Sequence, residues 1–387
     1  MLILVLGSLA ALGPMSIDLY LPAFPLLEAE FSTTSAAVSG TMAAYFAGIA
    51  VGQLIYGPVS DSYGRRTPLI IGLVLYSVGA LMCAAAPSID ALVAARAIQA
   101  LGGCAGMVIC RAVVRDLFPP EEMAQVFSSL LLVMGLAPIL APSVGAFVVD
   151  WSGWRVLFLL MALFSSLCLV GTLKQIPKEP ASSTQKISLT GSFQTYAQLL
   201  GHRGFLAYSL SSMFIRCGLF AYITGSPFLY QKVFELSSKQ FGLLFGINAA
   251  GFVLASQVNG RLAVKFGHER VYRWALLASV VTSLPLLSLG WGEQGSLTLV
   301  ESCLFLFIAS LGFLFPCATA GALEEQPNRA GSASALNGLM GSVAAAATAM
   351  GVGHLQALTS MAVPLLVGVS CLLAWVSFAV VRSQNET

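Results

Sequence analysis

Residues 36–87 read AAVSGTMAAYFAGIAVGQLIYGPVSDSYGRRTPLIIGLVLYSVGALMCAAAP, and their only charges are Asp61, Arg65 and Arg66. Two apolar runs, 36–58 and 68–87, flank that short charged loop. Each is about 20 residues long, the length an α-helix needs to cross the hydrocarbon of a bilayer. The pattern recurs outward in both directions. Further apolar blocks run 2–22, 91–113, 124–149 and 154–173, and, after a polar stretch, 204–229, 239–259, 272–290, 297–320, 331–354 and 362–381. The reading is an all-α polytopic membrane protein with twelve transmembrane helices in two six-helix pseudo-repeats. Its parts are an N-terminal bundle over 1–173, a Ser/Thr/Lys/Pro-rich linker over 174–203 and a C-terminal bundle over 204–387.

Composition agrees. Of 387 residues 57% are hydrophobic and 9% charged, against about 25% charged in a soluble domain. That is too little polar surface to coat a water-soluble globule, which excludes a soluble enzyme, a disordered chain and a nucleic-acid binder. Apolar residues run in blocks and do not alternate, which excludes an outer-membrane barrel. The first block lacks a basic leader and ends in Asp18 and two prolines, so it is expected to be a retained span and not a signal peptide. The eight cysteines all fall in apolar segments without metal-ligand spacing and read as small buried hydrophobes.

With the N-terminus inside, fourteen Lys and Arg fall in cytoplasmic segments. Outside segments hold three, Arg155, Lys232 and Lys239, while Arg96 and Arg216 lie within spans. This bias places both termini in the cytoplasm. The halves echo each other: Gly57 and Gly64 recur 203 residues on as Gly260 and Gly267, although Asp61 becomes Val264 and Arg65 becomes His268. Such internal repeats mark transporters built from related bundles around a central path.

The loop Gly57-Pro-Val-Ser-Asp61-Ser-Tyr-Gly64-Arg65-Arg66 matches at every fixed position the signature G-x-x-x-D-x-x-G-R-[KR], and the chain thereby resembles the major facilitator superfamily. More narrowly it resembles the bicyclomycin-resistance (Bcr/CflA-type) branch of its drug:proton antiporters. That likeness is carried by IDLYLPAFP (17–25), RAIQALGG (96–103), APILAPSVGA (137–146), GWRVLF (153–158), FAYITGSPFLY (220–230), FGLLFGINAAG (241–251) and AGSASALNG (330–338). The resemblance implies proton-coupled efflux of small amphipathic compounds by alternating access. It also implies that Gly57, Asp61, Gly64, Arg65 and Arg66 govern conformational switching. In this loop glycines can let helix ends approach closely, and Asp61 and Arg65 can bridge neighbouring helices as a charge lock.

The charges inside the spans are the candidate functional groups. A charge at mid-membrane costs at least about 2.5 kcal/mol, so each should face protein or water. Arg96 stays protonated and can act as a fixed counter-charge, or tether another helix; Gln99 and Gly103 share its helical face. Asp18 is the carboxylate well inside the first span, with Pro22 and Pro25 breaking the helix just beyond it. Desolvation and a nearby cation act on such a carboxyl in opposite senses. Asp18 and Arg96 are therefore the proton-coupling candidates, a role the family resemblance also implies for Asp18; the alternative for Asp18 is a helix-end carboxylate near the outer interface. Arg216 has no counterpart in a family motif. It can contact a polar or anionic substrate group, pair with Asp18 or tether backbone carbonyls. Glu301, near the start of the tenth span, is expected to snorkel to the outer interface.

In the fifth span Ala141, Pro142 and Gly145 resemble the antiporter signature G-x-x-x-G-P-x-x-G-G, with alanine at three glycine positions. Small residues at four-residue spacing also make a plain packing seam, as do Ala44, Gly48 and Gly52 in the second span. Tyr45, Gln53, Gln99, Arg216, Tyr222 and Asn248 are the candidate substrate pocket, soft walls with a few orienting polar groups. No phosphate-binding G-x-x-x-x-G-K-[ST] or nucleophile constellation is present. The expectation is thus not an enzyme but a multi-pass transporter of the bacterial inner membrane. It would work as a monomer with a small-molecule substrate, protons and lipid as partners, without nucleic acid or metal, and with the proton gradient as its energy source in place of a cofactor. Export of an endogenous metabolite is the alternative, and a transport-inactive sensor a more distant one.

Overall fold

The computed structural model describes residues 1–177, 196–289, 296–326 and 329–383. Residues 178–195, the greater part of the expected linker, lie outside that description. The described elements are helical, and twelve are long and apolar enough to cross a membrane. In order they are α1 (Leu2–Asp18), α2 (Phe24–Glu30), α3 (Ser35–Tyr63), α4 (Arg66–Ala84), α5 (Ile89–Leu117), α6 (Pro120–Ser152), α7 (Trp154–Gln175). They continue with α8 (Arg203–Phe228), α9 (Ser238–Phe266), α10 (His268–Leu289), α11 (Leu297–Glu324), α12 (Ala330–Gln356) and α13 (Ala362–Ser383).

Local chemistry sets their ends. Thr34, Ser88 and Ser296 stand just before apolar runs, and their hydroxyls accept from the backbone N–H of Ala37, Ala91 and Leu299, satisfying amides that a helix start leaves unpaired. α3 ends at Gly64, with φ 78° and ψ 168°, a conformation open in practice only to glycine. Gly267, its partner in the repeat, has φ 81°. Gly57 and Gly260 behave differently: a Cβ at either would meet nothing within 4 Å, so Gly57 does not supply the close helix approach expected of its loop's glycines.

The first span is longer than the apolar block 2–22 indicated. α1, a 3-10 turn at Leu21–Ala23 and α2 form one continuous apolar segment, Leu2–Glu30. Pro22 and Pro25 occupy the first positions of the turn and of α2, where a missing N–H is no loss, so they redirect the chain without ending the span. Asp18 consequently lies inside the span, at a break in its helix.

The chain divides into two compact units, Met1–Ile187 with Leu236–Gly246, and Ser188–Glu235 with Ile247–Thr387. The first turns of α9 thus group with the N-terminal unit, whereas the sequence boundaries assign all of it to the second. Inside the first unit α5 packs on α3, α4 and α1, and α1 also packs on α6 and α7. Gly48 makes the α3–α5 approach possible, since a Cβ there would sit 2.6 Å from the Ala97 carbonyl oxygen. In the second unit α8 packs on α11, α12 and α13, and α10 on α11 and α13, the same pattern six spans later.

Gly64→Ala is expected to lower stability by about 1–3 kcal/mol through backbone strain, while Gly57→Ala stays within about 0.5 kcal/mol. Thermal unfolding of the purified variants in detergent checks this, and equal effects would contradict it.

Candidate functional site

In the first unit Arg96, on α5, is fully buried. Its guanidinium carbon lies 4.2 Å from the ring centroid of Tyr45, 4.8 Å from Tyr20 and 5.7 Å from Phe158. Its terminal nitrogens donate to Gln99 Oε1 at 2.8 Å and to the Ser16 carbonyl at 3.1 Å, and approach the Met42 sulfur at 3.5 Å. Among the described residues it forms no ion pair with a carboxylate. The charge is held by aromatic faces, a carboxamide and a helix-one carbonyl, all of which are neutral. The hydrogen bond to Ser16 also makes Arg96 a tether between α5 and α1. Gln99 in turn is fixed by Arg96 and by the Met161 sulfur.

Two residues beyond Ser16 the helix breaks at Asp18, which is 4% exposed and makes no hydrogen bond or ion pair among the described residues. α6 braces this break. A Cβ on Gly145 would lie 3.3 Å from the Leu19 Cα and closer still to its carbonyl, so glycine is what lets α6 lie against the backbone next to Asp18. Pro138 and Pro142 are inside α6, and Ala141 is buried one turn before Gly145. The candidate seam is therefore in contact with the segment that carries the carboxyl.

At the Gly57–Arg66 loop, Arg65 is 9% exposed and donates to three groups. These are Asp61 Oδ1 at 2.5 Å and Ser60 Oγ at 3.0 Å on α3, and Asp116 Oδ2 at 2.7 Å on α5. Burial opposes the charge on Arg65, but the bonds to Asp116 and Asp61 outweigh it and hold the guanidinium pKa above its ordinary value. Arg66 donates to the Leu173 carbonyl at 2.7 Å, reaching α7. The described partners of this charged cluster all belong to the first unit. In the second unit the equivalent of Arg65 is His268, whose Nε2 lies 3.1 Å from Glu324 at the end of α11.

The second unit separates the remaining candidates into two places. Asn248, fully buried on α9, donates from Nδ2 to the Tyr222 hydroxyl at 2.9 Å. Arg216 stands apart on α8, its guanidinium 5.1 Å from the Phe315 ring and against Gly341 of α12. Its Nε is buried without a partner, and among the described residues no carboxylate or backbone carbonyl accepts from it, so no carbonyl tether is found. Glu301 corrects an expectation. It does not snorkel outward: its Oε2 accepts from the buried hydroxyl of Tyr230, and its Oε1 is buried and unpartnered. Gln53 is half-buried on α3, two turns beyond Tyr45.

No motif marks Asp116 as the second carboxylate on Arg65, or Tyr20 and Phe158 as the rings around Arg96. Their only local signals are an Arg-Asp pair closing the α5 apolar run and aromatics beside Asp18 and after Gly153. The partnership of Tyr230 with Glu301 joins residues 71 apart, beyond any local periodicity.

Twelve apolar spans in two units of matching internal packing, with charges buried inside them, define a multi-pass membrane transporter. Residues 6–349 match the Major Facilitator Superfamily, and the chain belongs to that superfamily. Among its relatives is the uncharacterized MFS-type transporter YdgK of Bacillus subtilis, 36% identical over 87% of this chain and 84% of the relative. Multidrug resistance protein D of Escherichia coli is 30% identical over 99% and 97%. The bicyclomycin resistance protein homolog of Haemophilus influenzae is 29% identical over 99% and 96%. The crystal structure of the nucleoside transporter NupG shares the fold with a TM-score of 0.78 at 15% identity, covering 98% of this chain and 99% of that one.

Arg96→Lys keeps the charge but loses the planar stack and the forked donors. It is expected to lower transport about tenfold, the equivalent of about 1.4 kcal/mol, with an unchanged level in the membrane; full activity of the lysine variant would contradict the caged-guanidinium reading.

Proposed function

We propose that the protein exports small amphipathic compounds across the bacterial inner membrane in exchange for protons, by alternating access, with both termini in the cytoplasm and the monomer as the working unit. The observation that carries this reading is the carboxyl of Asp18, buried at a helix break without an ionic partner among the described residues, two positions from the Ser16 carbonyl on which Arg96, a cation held by neutral groups, is fixed. A carboxyl so placed is free to take and give a proton without first dismantling a salt bridge. Asp18 takes its proton from outside and loses it inward as substrate engages, so that the outward step carries the load. The similarity over almost the full chain to a multidrug resistance protein and a bicyclomycin resistance homolog supports efflux of amphipathic compounds.

Arg216 favours a second reading, export of an anionic metabolite. A guanidinium with a buried, unpartnered Nε and no carboxylate beside it is suited to a carboxylate or phosphate on the cargo. Arg216→Ala is then expected to narrow the substrate range, with loss of anionic compounds, more than it lowers the level in the membrane. Equal loss of both would mark a structural role.

Asp18→Asn is expected to abolish the pH dependence of transport in inverted vesicles while leaving the protein in the membrane. Unchanged proton-dependent transport in this variant would remove Asp18 from the role.

A further inference from the structure

The second unit holds a titratable group that the efflux reading does not use. Glu301 is the fifth residue of α11, inside a span, and it is half-buried. The hydroxyl of Tyr230 donates to one of its oxygens; the other is buried and has no partner. Tyr230 is itself fully buried, in a π-helical turn, Leu229–Val233, that follows α8. Single π turns recur where a side chain must be aimed at a functional group. Asn248, fully buried on α9, lies within hydrogen-bonding reach of both Tyr230 and Glu301, and donates to Tyr222. Its Oδ1 is also buried and unpartnered.

This arrangement is short of donors. Two buried acceptor oxygens, on Glu301 and Asn248, have no hydrogen-bond donor among the described residues. No Lys, Arg or His forms an ion pair with Glu301 among the described residues. The groups facing it are Tyr230 from the π turn and Asn248 from α9, with Tyr222 of α8 behind Asn248; the Lys232 ammonium in that turn lies 5.9 Å from the Phe228 ring centroid. A carboxylate without an ion pair is costly in such a place even with the Tyr230 hydroxyl and the Asn248 amide near it, whereas a carboxylic acid is neutral and brings an O–H of its own. Rotating the Asn248 amide by half a turn exchanges acceptor for donor, so one side chain can serve both protonation states.

We propose that Glu301 is a second proton-carrying carboxyl, held by Tyr230 and Asn248 in the C-terminal unit. Protonation forms an O–H on the carboxyl and discharges it; release returns the proton to water and leaves the carboxylate on the Tyr230 hydroxyl and the turned amide. The site rests on the proton-driven reading for its part in transport, giving one exchangeable proton in each unit.

The test uses the purified full-length protein. Infrared difference spectra recorded between about pH 5 and about pH 9, the range spanned by free and buried glutamates, should show a protonated-carboxyl C=O band. Asp18 contributes a band of its own, so the component that remains in Asp18→Asn is the band of interest: Glu301→Gln should lose that component, and Tyr230→Phe should move its pH midpoint, which a purely structural tyrosine would not do. Dicyclohexylcarbodiimide, which modifies protonated carboxyls in apolar surroundings, should label Glu301 in the wild type, so the result does not depend on any variant folding. In proteoliposomes Glu301→Gln should release about half as many protons per substrate as the wild type. Persistence of that component in Glu301→Gln, absence of labelling, or an unchanged proton count would each overturn the proposal. Loss of coupling by neither Asp18→Asn nor Glu301→Gln, with the Glu301 band intact, would instead count against proton-driven transport itself.

Discussion

A guanidinium cannot be discharged at any pH the protein meets, so burying Arg96 at the centre of the first unit imposes a condition on everything near it. In a low-dielectric interior the usual remedy is a carboxylate, and Asp18 is the acid available in the neighbouring helix. The structure takes another course. Three aromatic faces, the Gln99 amide and the Ser16 carbonyl surround the charge, and Asp18 remains outside that set of partners. The break in the first span places Asp18 there, and Gly145 lets α6 lie against it without a side chain between. Because neutral groups hold the positive charge, the Asp18 carboxyl is left without an ion pair among the described residues, as the proposed proton exchange requires.

The two units share a scaffold and differ in their charges. Gly64 and Gly267 both take a positive φ, 78° and 81°, at the end of equivalent helices, and the internal packing of the helices corresponds. Residues 203 positions beyond Asp18 and Arg96, however, are Ala221 and Leu299. The second unit instead carries Arg216 and Glu301, both half-buried inside spans, at places unrelated to those by the repeat. Arg65, fixed by Asp61 and Asp116, is replaced by His268 facing a single, exposed carboxylate on Glu324. Divergence has acted on the polar groups while the glycines and the apolar packing kept the helices in place.

Much of this was legible in the chain before any coordinates. Span number and most boundaries follow from block length, because hydrocarbon thickness fixes how many apolar residues a helix must supply. The first span was read too short, since Pro22 and Pro25 look like a terminus although at the start of a turn they cost nothing. Asp18, Arg96, Gln99 and Arg216 stood out because a charge or an amide in a span is rare. Tyr20, Phe158, Asp116 and the Tyr230–Glu301 contact did not. An aromatic residue in an apolar run carries no mark of whether its face will meet lipid or a cation, and their partners come from distant helices. Glu301 shows the same limit: its distance from the span end suggested an interfacial residue, and only the placement of Tyr230 and Asn248 shows it turned inward.

The most direct test of the account is transport by the purified protein in liposomes under an imposed proton gradient, with a panel of neutral, cationic and anionic amphipathic compounds. The account predicts movement of at least one compound against its own gradient, coupled to proton flow in the opposite direction and stopped when an ionophore collapses the proton gradient. Transport that continues at the same rate after collapse would contradict it.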